Sequence, residues 1–270
     1  MTKAYTKVLT IAGSDSGGGA GIQADVKTIS SLGCYAMTAI TAITAQNTTG
    51  VAGIFPMSID CVEQQIHAVL SDIGADAVKI GMLWSSGLAR SVAGMLERHG
   101  VTKVVYDPVM VSQSGDLLLK EEDSRLMVAL LAPHVQLITP NLSEASCLLG
   151  WDILDQVAME KAAKSLVSFG CSNVLLKGGH LEGSQAIDVL YMAGDDDTFI
   201  FHEKRIRTMN NHGTGCTLSS AIASFLAKGH GIKAAVGLGK DYITRVLASG
   251  ADYHIGKGHG PVHHFQGIWE

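Results

Sequence analysis

Short apolar segments rich in Val, Ile and Leu alternate along the chain with longer segments in which apolar residues recur every three or four positions. The short segments are typical of buried strands and the longer ones of amphipathic helices. The first strands are apolar on both faces, which predicts a mostly parallel sheet with helices on both sides. The predicted strands are Lys7–Ala12, Tyr35–Ile43, Ala77–Gly81, Lys103–Asp107, Gln136–Thr139, Asn173–Lys177, Ile187–Met192 and Thr198–Arg205. The predicted helices are Ala20–Leu32, Ile59–Asp72, Gly87–His99, Glu121–Leu131, Ser143–Leu149, Met159–Phe169, Thr217–Lys228 and Ile232–Ser249.

The chain is interpreted as a single α/β domain spanning residues 1–270, because the alternation continues without a repeat or a linker rich in Pro or Ser. Only Ala193–Asp197 separates the last two predicted strands, which indicates an antiparallel hairpin. In open sheets of this kind, ligands bind beyond the carboxyl ends of the strands. We therefore expect the residues that follow the strands to form the site.

Composition and charge exclude several classes of protein. The chain has 20 Lys and Arg against 25 Asp and Glu, and aromatic residues make up 6%. Without a basic run or an aromatic platform, nucleic acid and anionic membrane surfaces are poor partners. No apolar run approaches the ~20 residues of a membrane span, and the first residues lack the features of a targeting signal. The five cysteines are scattered, so we expect a cytoplasmic protein with reduced thiols.

The segment Gly13–Asp25 contains five glycines within nine residues. Its Gly19-x-Gly21-x-x-Ala24 spacing matches the dinucleotide fingerprint, but the second strand ends without the acidic residue that would hold a ribose, which disfavours a dehydrogenase. No G-x-x-x-x-G-K-[ST] sequence is present, which excludes a Walker-type nucleotide site. A turn with a helix cap is one alternative. Close approach of the backbone to a ligand explains the excess of glycine better.

A second cluster, His212–Ser219, precedes a helix with apolar residues at helical spacing. Glycines before a helix leave backbone N–H groups free to point at one spot, where the helix dipole adds positive potential. An anion, such as a transferring phosphoryl group, would be stabilised at that spot. Cys216 lies in the first turn, where we expect the pKa of its thiol to fall. A helix cap with a core cysteine is the alternative.

Polar groups also follow the central strands. Asp107 ends one predicted strand, Asn141 and Glu144 follow the next, and Lys177 ends another. Carboxylate and amide oxygens suit Mg²⁺, often through water, although helix capping around Ser143 is an equal alternative. The histidines near the C-terminus have no zinc-binding spacing, and we assign no metal to them: His259, His263 and His264.

With these segments the chain resembles the ribokinase-like kinases, and within them the bacterial hydroxymethylpyrimidine/phosphomethylpyrimidine kinases of thiamine biosynthesis. The resemblance runs nearly end to end. It implies a ribokinase-like fold and transfer of the ATP γ-phosphoryl group, with Mg²⁺, to the hydroxymethyl oxygen of 4-amino-5-hydroxymethyl-2-methylpyrimidine and then to the resulting monophosphate. The matching segments are Thr10–Asp15, Gly18–Asp25, Ala45–Thr48, Lys79–Leu83, Thr139–Leu142, Lys177–His180, His212–Thr217 and Gly258–Phe265.

The resemblance also implies roles for individual residues. Gln46 matches the residue that hydrogen-bonds the aminopyrimidine, since an amide offers both a donor and an acceptor. Cys216 takes the position of the catalytic base. The other matches are Gly13, Asp25 and Met82 in the acceptor pocket; Gly213, Thr214 and Gly215 in the anion hole; Lys177, Asn141 and Glu144 near ATP; and Asp107 and Glu144 as metal ligands.

Most ribokinase-like sugar kinases carry Asp at the position of Cys216. A second acceptor that is already anionic needs no strong base and would be repelled by a fixed carboxylate, which favours a thiol there. A pyridoxine or pyridoxal kinase is the closest alternative, because those substrates carry the same hydroxymethyl group on an aromatic ring. A pyrimidine-binding sensor without catalysis is disfavoured, since the anion hole and Cys216 are both present. The resemblance further implies a homodimer.

Overall fold

The computed structural model describes residues 3–110, 121–179, 181 and 183–269, so His180 of the predicted Lys177–His180 segment lies outside the described residues. Nine strands and eight α-helices alternate along the described chain. The strands are β1 (Lys7–Asp15), β2 (Tyr35–Asn47), β3 (Gly50–Pro56), β4 (Ala77–Ile80), β5 (Val104–Tyr106), β6 (Leu137–Ile138), β7 (Asn173–Lys177), β8 (Gln185–Met192) and β9 (Asp197–Lys204). The helices are α1 (Gly21–Ser31), α2 (Ile59–Asp72), α3 (Ser86–Arg98), α4 (Glu121–Leu131), α5 (Leu142–Leu149), α6 (Gln156–Leu166), α7 (Thr214–Ala227) and α8 (Ile232–Gly250).

All nine strands form one sheet in the order β3-β2-β1-β4-β5-β6-β7-β8-β9. The six strands from β2 to β7 in this order pair in parallel. The outer strands β3, β8 and β9 pair antiparallel with their neighbours. The mostly parallel sheet and the hairpin of the last two strands are thus confirmed. The strand order reverses beside β1, which places a ligand crevice between the carboxyl ends of β1 and β4.

Both faces of the sheet are covered, as the apolar strands predict. Side chains alternate along each strand between two buried clusters: Val104 faces one cluster and its neighbour Val105 faces the other. Residues of α2 to α6 contribute to the first cluster, and residues of α1, α7 and α8 to the second. Among the described residues, every helix is too short or too polar to span a bilayer.

Several boundaries shift by one to four residues from the sequence prediction, and three differences bear on the site or the sheet edge. Strand β3 was not predicted, because its Gly50-Val-Ala-Gly53 start lacks alternation and its residues are only partly buried at the edge of the sheet. Strand β2 continues to Asn47, which carries Gln46 to the end of an extended strand. Helix α7 begins at Thr214, three residues before the predicted start at Thr217. The predicted anion hole is therefore the first turn of the helix.

Candidate active site

A cavity of about 430 Å³ opens at the carboxyl edge of the sheet. The loops after β1, β4, β5, β6 and β7 line it together with the end of β2 and the first turn of α7. The parallel sheet thus brings together segments that are far apart in sequence. The predicted site residues that line this cavity are Gly13, Gln46, Met82, Asp107, Asn141, Glu144, Lys177, Gly213, Thr214, Gly215 and Cys216.

Asp25, predicted as a neighbour of the substrate, lies behind the cavity instead of on its wall. Its carboxylate is fully buried and pairs with Lys79, whose Nζ lies 2.9 Å from Oδ1 and 2.8 Å from Oδ2. Ser220 donates to Oδ1 at 2.7 Å and Thr10 donates to Oδ2 at 2.6 Å. Each oxygen therefore accepts two bonds, and Asp25 joins β1, β4, α1 and α7 rather than facing a ligand.

The two glycine clusters are joined by a buried hydrogen bond between side chains. His212 Nε2 lies 2.8 Å from Oδ2 of Asp15, at the end of β1. The same carboxylate accepts backbone N–H bonds from Gly17, Gly19 and Ala20 at 2.8, 3.0 and 2.8 Å. Burial raises the pKa of Asp15, but the bonds from His212 and Ala20 outweigh it and hold the pKa below its usual value. Asp15 thus stays ionised and fixes the glycine loop against the segment before α7.

The amino end of α7 faces the cavity without a side-chain cap among the described residues. Gly213 holds a left-handed conformation with φ of 77°, and a Cβ at this position would overlap the carbonyl oxygen of Gly19. Only glycine therefore fits where the two loops meet. The positive end of the helix dipole and the free N–H groups of its first turn provide the environment that an anion needs.

A charged cluster lies beside the anion hole. Lys177 Nζ is 2.6 Å from Oδ1 of Asp107, which also accepts from Thr139 at 3.1 Å. Asn141 and Glu144 form a capping box at the start of α5, with N···O distances of 2.9 and 2.7 Å. The capping alternative is therefore observed for these two residues, which also line the cavity. Burial and Asp107 raise the pKa of Glu144 to about 7, while Lys177 opposes the rise.

Comparison with known proteins identifies the family. A sequence model described as phosphomethylpyrimidine kinase matches residues 15–263. The hydroxymethylpyrimidine/phosphomethylpyrimidine kinase of Rhizobium meliloti (strain 1021) is 46% identical over 264 residues, covering 97% of this chain and 98% of the relative. The chain belongs to the phosphomethylpyrimidine kinase family. The resemblance found in the sequence is confirmed, and the kinase is a phosphotransferase.

Solved structures share the fold of the kinase. The phosphomethylpyrimidine kinase of Clostridium difficile 630 is 43% identical with a TM-score of 0.78, over 88% of this chain and 97% of that one. An ADP complex of Bacillus subtilis pyridoxal kinase is 36% identical with a TM-score of 0.89, over 97% and 98% of the two chains. The predicted ribokinase-like fold is confirmed.

Cys216 differs from its predicted ionisation. We expected the start of a helix to lower the pKa of the thiol, but burial raises it to about 11. Lys79 and the backbone N–H of Gly21 favour the thiolate, whereas the carboxylates of Asp25 and Asp107 disfavour it. In the ligand-free kinase the thiol is therefore protonated at neutral pH.

Sequence reasoning missed two charged pairs. Lys79 is a cation within the otherwise apolar strand β4, which is a signal that a buried partner exists. Lys240 Nζ, on α8, lies 2.6 Å from Oδ2 of Asp188, and both residues are buried on the cavity wall. Asp188 also accepts from the backbone N–H of Gly178 at 2.9 Å, next to Lys177. This pair was not visible in the sequence, because its members lie 52 residues apart.

Proposed function

We propose that the kinase phosphorylates the hydroxymethyl oxygen of 4-amino-5-hydroxymethyl-2-methylpyrimidine with ATP and then phosphorylates the monophosphate to the diphosphate. The observation that carries this proposal is the meeting, in one cavity, of the Gln46 amide and the uncapped start of α7. The amide is suited to an aminopyrimidine edge, because it offers one donor and one acceptor side by side. The helix start is suited to the phosphoryl group that moves between ATP and the acceptor.

The chain's contribution to the transfer is mainly positioning and charge stabilisation, as is general for phosphoryl transfer. The N–H groups of Gly215 and Cys216 stabilise negative charge on the transferring group, whereas the N–H of Thr214 donates to the carbonyl of Asn211 at 3.3 Å. Gly13 and Met82 form the acceptor side of the cavity together with Gln46. Met82 also receives a bond through its carbonyl from Thr41 at 2.7 Å, which fixes the start of this loop.

Cys216 occupies the position from which a base would receive the proton of the first acceptor hydroxyl. Its protonated thiol adds no negative charge to a site that must also admit a phosphate monoester. A loose transition state requires little proton removal before the phosphoryl group moves. A weak, mostly neutral base therefore suits both acceptors.

The charged cluster fits Mg²⁺ and the ATP phosphates. Glu144 and Asp107 are two buried carboxylates beside one ammonium group, Lys177, and burial together with the Asp107 charge raises the pKa of Glu144. A hard cation would stabilise the ionised form of both carboxylates, and Mg²⁺ commonly binds one or two carboxylates with water and phosphate oxygens. Asp107 and Glu144 would hold it, beside Asn141. When bound, Mg²⁺ supplies neutralisation of phosphate charge.

The test is phosphorylation of the aminopyrimidine alcohol with Mg·ATP, following monophosphate and diphosphate separately by mass spectrometry. We expect both products, in that order. Pyridoxal serves as the competing acceptor, because a pyridoxal kinase is among the structures most similar to this chain. If only pyridoxal were phosphorylated, or if no diphosphate formed, the proposed function would be wrong.

A further inference from the structure

The side chain of Gln46 lies between two groups that restrict how its amide can be turned. Its Oε1 is 3.1 Å from the hydroxyl oxygen of Thr44, and its Nε2 is 3.4 Å from Nε2 of His212. Its backbone is also fixed, because the Ser16 hydroxyl accepts from Gln46 N–H at 2.9 Å and donates to the Gln46 carbonyl at 2.8 Å. The amide is thus the one part of Gln46 with freedom to rotate.

The proton of each neighbour is already committed. Asp15 is ionised and cannot donate, so the 2.8 Å contact requires His212 Nε2 to carry a proton that points to the carboxylate. The Thr44 hydroxyl has one proton and two acceptors, the carbonyl of Ser14 at 2.9 Å and Oε1 of Gln46 at 3.1 Å, and we assign the proton to the shorter contact. In the orientation given above, the Gln46 NH₂ therefore meets an N–H, and its oxygen meets a hydroxyl lone pair. Both contacts are unfavourable.

A half-turn of the amide makes both contacts favourable. The carbonyl oxygen of Gln46 then becomes the second and weaker acceptor, at 3.4 Å, of the His212 Nε2–H that points to Asp15, and its NH₂ donates to the free lone pair of Thr44. The two ends of an amide have nearly the same size, so the turn needs no other movement. One oxygen lone pair and one N–H of Gln46 stay available for a ligand, in a fixed order.

We propose that His212, held by Asp15, is a positioning residue that fixes the orientation of the Gln46 amide and thereby favours an aminopyrimidine over pyridoxal. This inference rests on the proposed function. An aminopyrimidine presents an amine donor beside a ring-nitrogen acceptor. With the amide fixed, the amine can bind only to the Gln46 oxygen and the ring nitrogen only to the Gln46 NH₂. Pyridoxal presents an aldehyde and a phenolate, which are both acceptors, and leaves the Gln46 oxygen without a donor. A polar site discriminates strongly against a ligand that leaves one of its groups unpaired.

The experiment compares kcat/KM for the two acceptors in His212→Leu and His212→Gln. We expect His212→Leu to lower the ratio of aminopyrimidine to pyridoxal by about 10- to 100-fold, the usual effect of one hydrogen bond to a specificity group. Most of the change in the ratio should appear in KM for the aminopyrimidine, because any effect of the variant on the anion hole is common to both acceptors and cancels in the ratio. His212→Gln keeps an N–H donor near the Nε2 position and should recover most of the ratio.

A double-mutant cycle tests whether His212 acts through Gln46. In a Gln46→Ala background, His212→Leu should leave the selectivity ratio unchanged. If His212→Leu fails to fold, Thr44→Val removes the partner at the other end of the amide and should lower the ratio in the same direction. The inference is overturned if folded His212→Leu has the wild-type ratio of kcat/KM for the two acceptors. It is also overturned if His212→Leu lowers this ratio equally in the Gln46→Ala background. A wild-type enzyme that ignores the aminopyrimidine would instead refute the proposed function.

Discussion

The Cys216 sulfur lies among Lys79, Asp25 and Asp107, and its protonated state predicts how the two transfers respond to mutation. We expect Cys216→Ala to slow the first transfer by about 10²- to 10⁴-fold, the usual contribution of a general base, and the second transfer by less. The rate of the first transfer should rise with pH from about 7 to 9 in the wild type, as the thiolate fraction grows, and Cys216→Ala should lose this rise. Single-turnover rates with each acceptor measure both effects.

Cys216→Asp is the matched variant for the charge argument. A third carboxylate beside Asp25 and Asp107 should slow phosphorylation of the anionic monophosphate by about tenfold or more, because like charges repel strongly in a buried site. The neutral alcohol should be affected less. Equal rates for the monophosphate in Cys216→Asp and wild type would show that the thiol is not there to avoid repulsion.

Glu144 predicts a pH dependence of stability in the ligand-free protein. Its pKa rises from 4.5 to about 7 on folding, so the folded state binds more protons between these values. The stabilisation is complete below the unfolded pKa and is lost as pH rises through the folded pKa. In urea unfolding, the free energy of unfolding of the wild type should therefore fall as pH rises from about 5 to about 8, compared with that of Glu144→Gln. A constant difference would place the titration on another group.

Which residues face the site could be predicted, but the bonds between them could not. Gln46, Lys177 and Cys216 follow strands or begin a helix, so their position at the carboxyl edge follows from topology. The Asp15–His212 pair joins residues 197 positions apart, and no local pattern selects that partner. Asp25 shares a glycine-rich segment with cavity residues, yet the register of α1 turns it toward Lys79. The ionisation of Cys216 depends on those buried partners, which explains why the helix position alone gave the wrong direction.

At the scale of elements, the strands with continuous apolar character were the most predictable. The core strand β7 was predicted with its observed limits, since Asn173–Lys177 is apolar on both faces. Strand β3 has two glycines and lies at the edge, where one side of the pairing and much of the burial are missing. The start of α7 was misplaced because Thr214 and Gly215 are weak helix formers that tertiary contacts hold in the first turn.

The junction between the glycine loop and α7 gives the element-scale prediction. Gly213 and Gly229 flank α7 with φ of 77° and 93°, but only at Gly213 would a Cβ overlap a neighbour, the carbonyl of Gly19. Gly229→Ala should lower the free energy of unfolding by about 1–2 kcal/mol, the strain of a left-handed residue, and leave kcat unchanged. Gly213→Ala should cost more and abolish most of the activity, because the loop must move away from the anion hole. Urea unfolding measures the cost of backbone strain in both variants, and steady-state kinetics measure displacement of the loop from the anion hole. Similar kcat values in the two variants would contradict the assigned junction.

At the scale of the whole molecule, the sheet places the proposed acceptor groups and the proposed ATP groups on opposite sides of the α7 start. The acceptor side is built from β1, β2 and β4, whereas the charged cluster follows β5, β6 and β7. Parallel pairing through the centre of the sheet directs all of these carboxyl ends to one edge. The alternation of strands and helices was sufficient to predict this edge, since the direction of parallel strands does not depend on their individual partners.

The Asp25–Lys79 pair is the buried link between the two halves, because its bonds reach β1, β4, α1 and α7. Burial lowers the pKa of Lys79, but Asp25 outweighs this effect, so the pair is ionised in the folded protein. Lys79→Met leaves the Asp25 carboxylate buried with two hydroxyl donors and no counter-charge. We expect it to lower the free energy of unfolding by about 3–5 kcal/mol, the usual cost of removing one partner of a buried pair.

Two further variants decide whether the cost comes from the uncompensated charge. Adding Asp25→Asn to Lys79→Met removes that charge while keeping an oxygen for Thr10 or Ser220, and should recover part of the loss. Lys164→Met breaks an exposed pair with Asp196 and should change the unfolding curve little, because solvent screens such a pair. If Lys79→Met were no more destabilising than Lys164→Met, or if the double variant were less stable than the single one, the pair would not be the link between the halves. The double variant should still unfold in one native-like transition but have a lowered kcat. This result would show that the pair affects Cys216 separately from its role in stability.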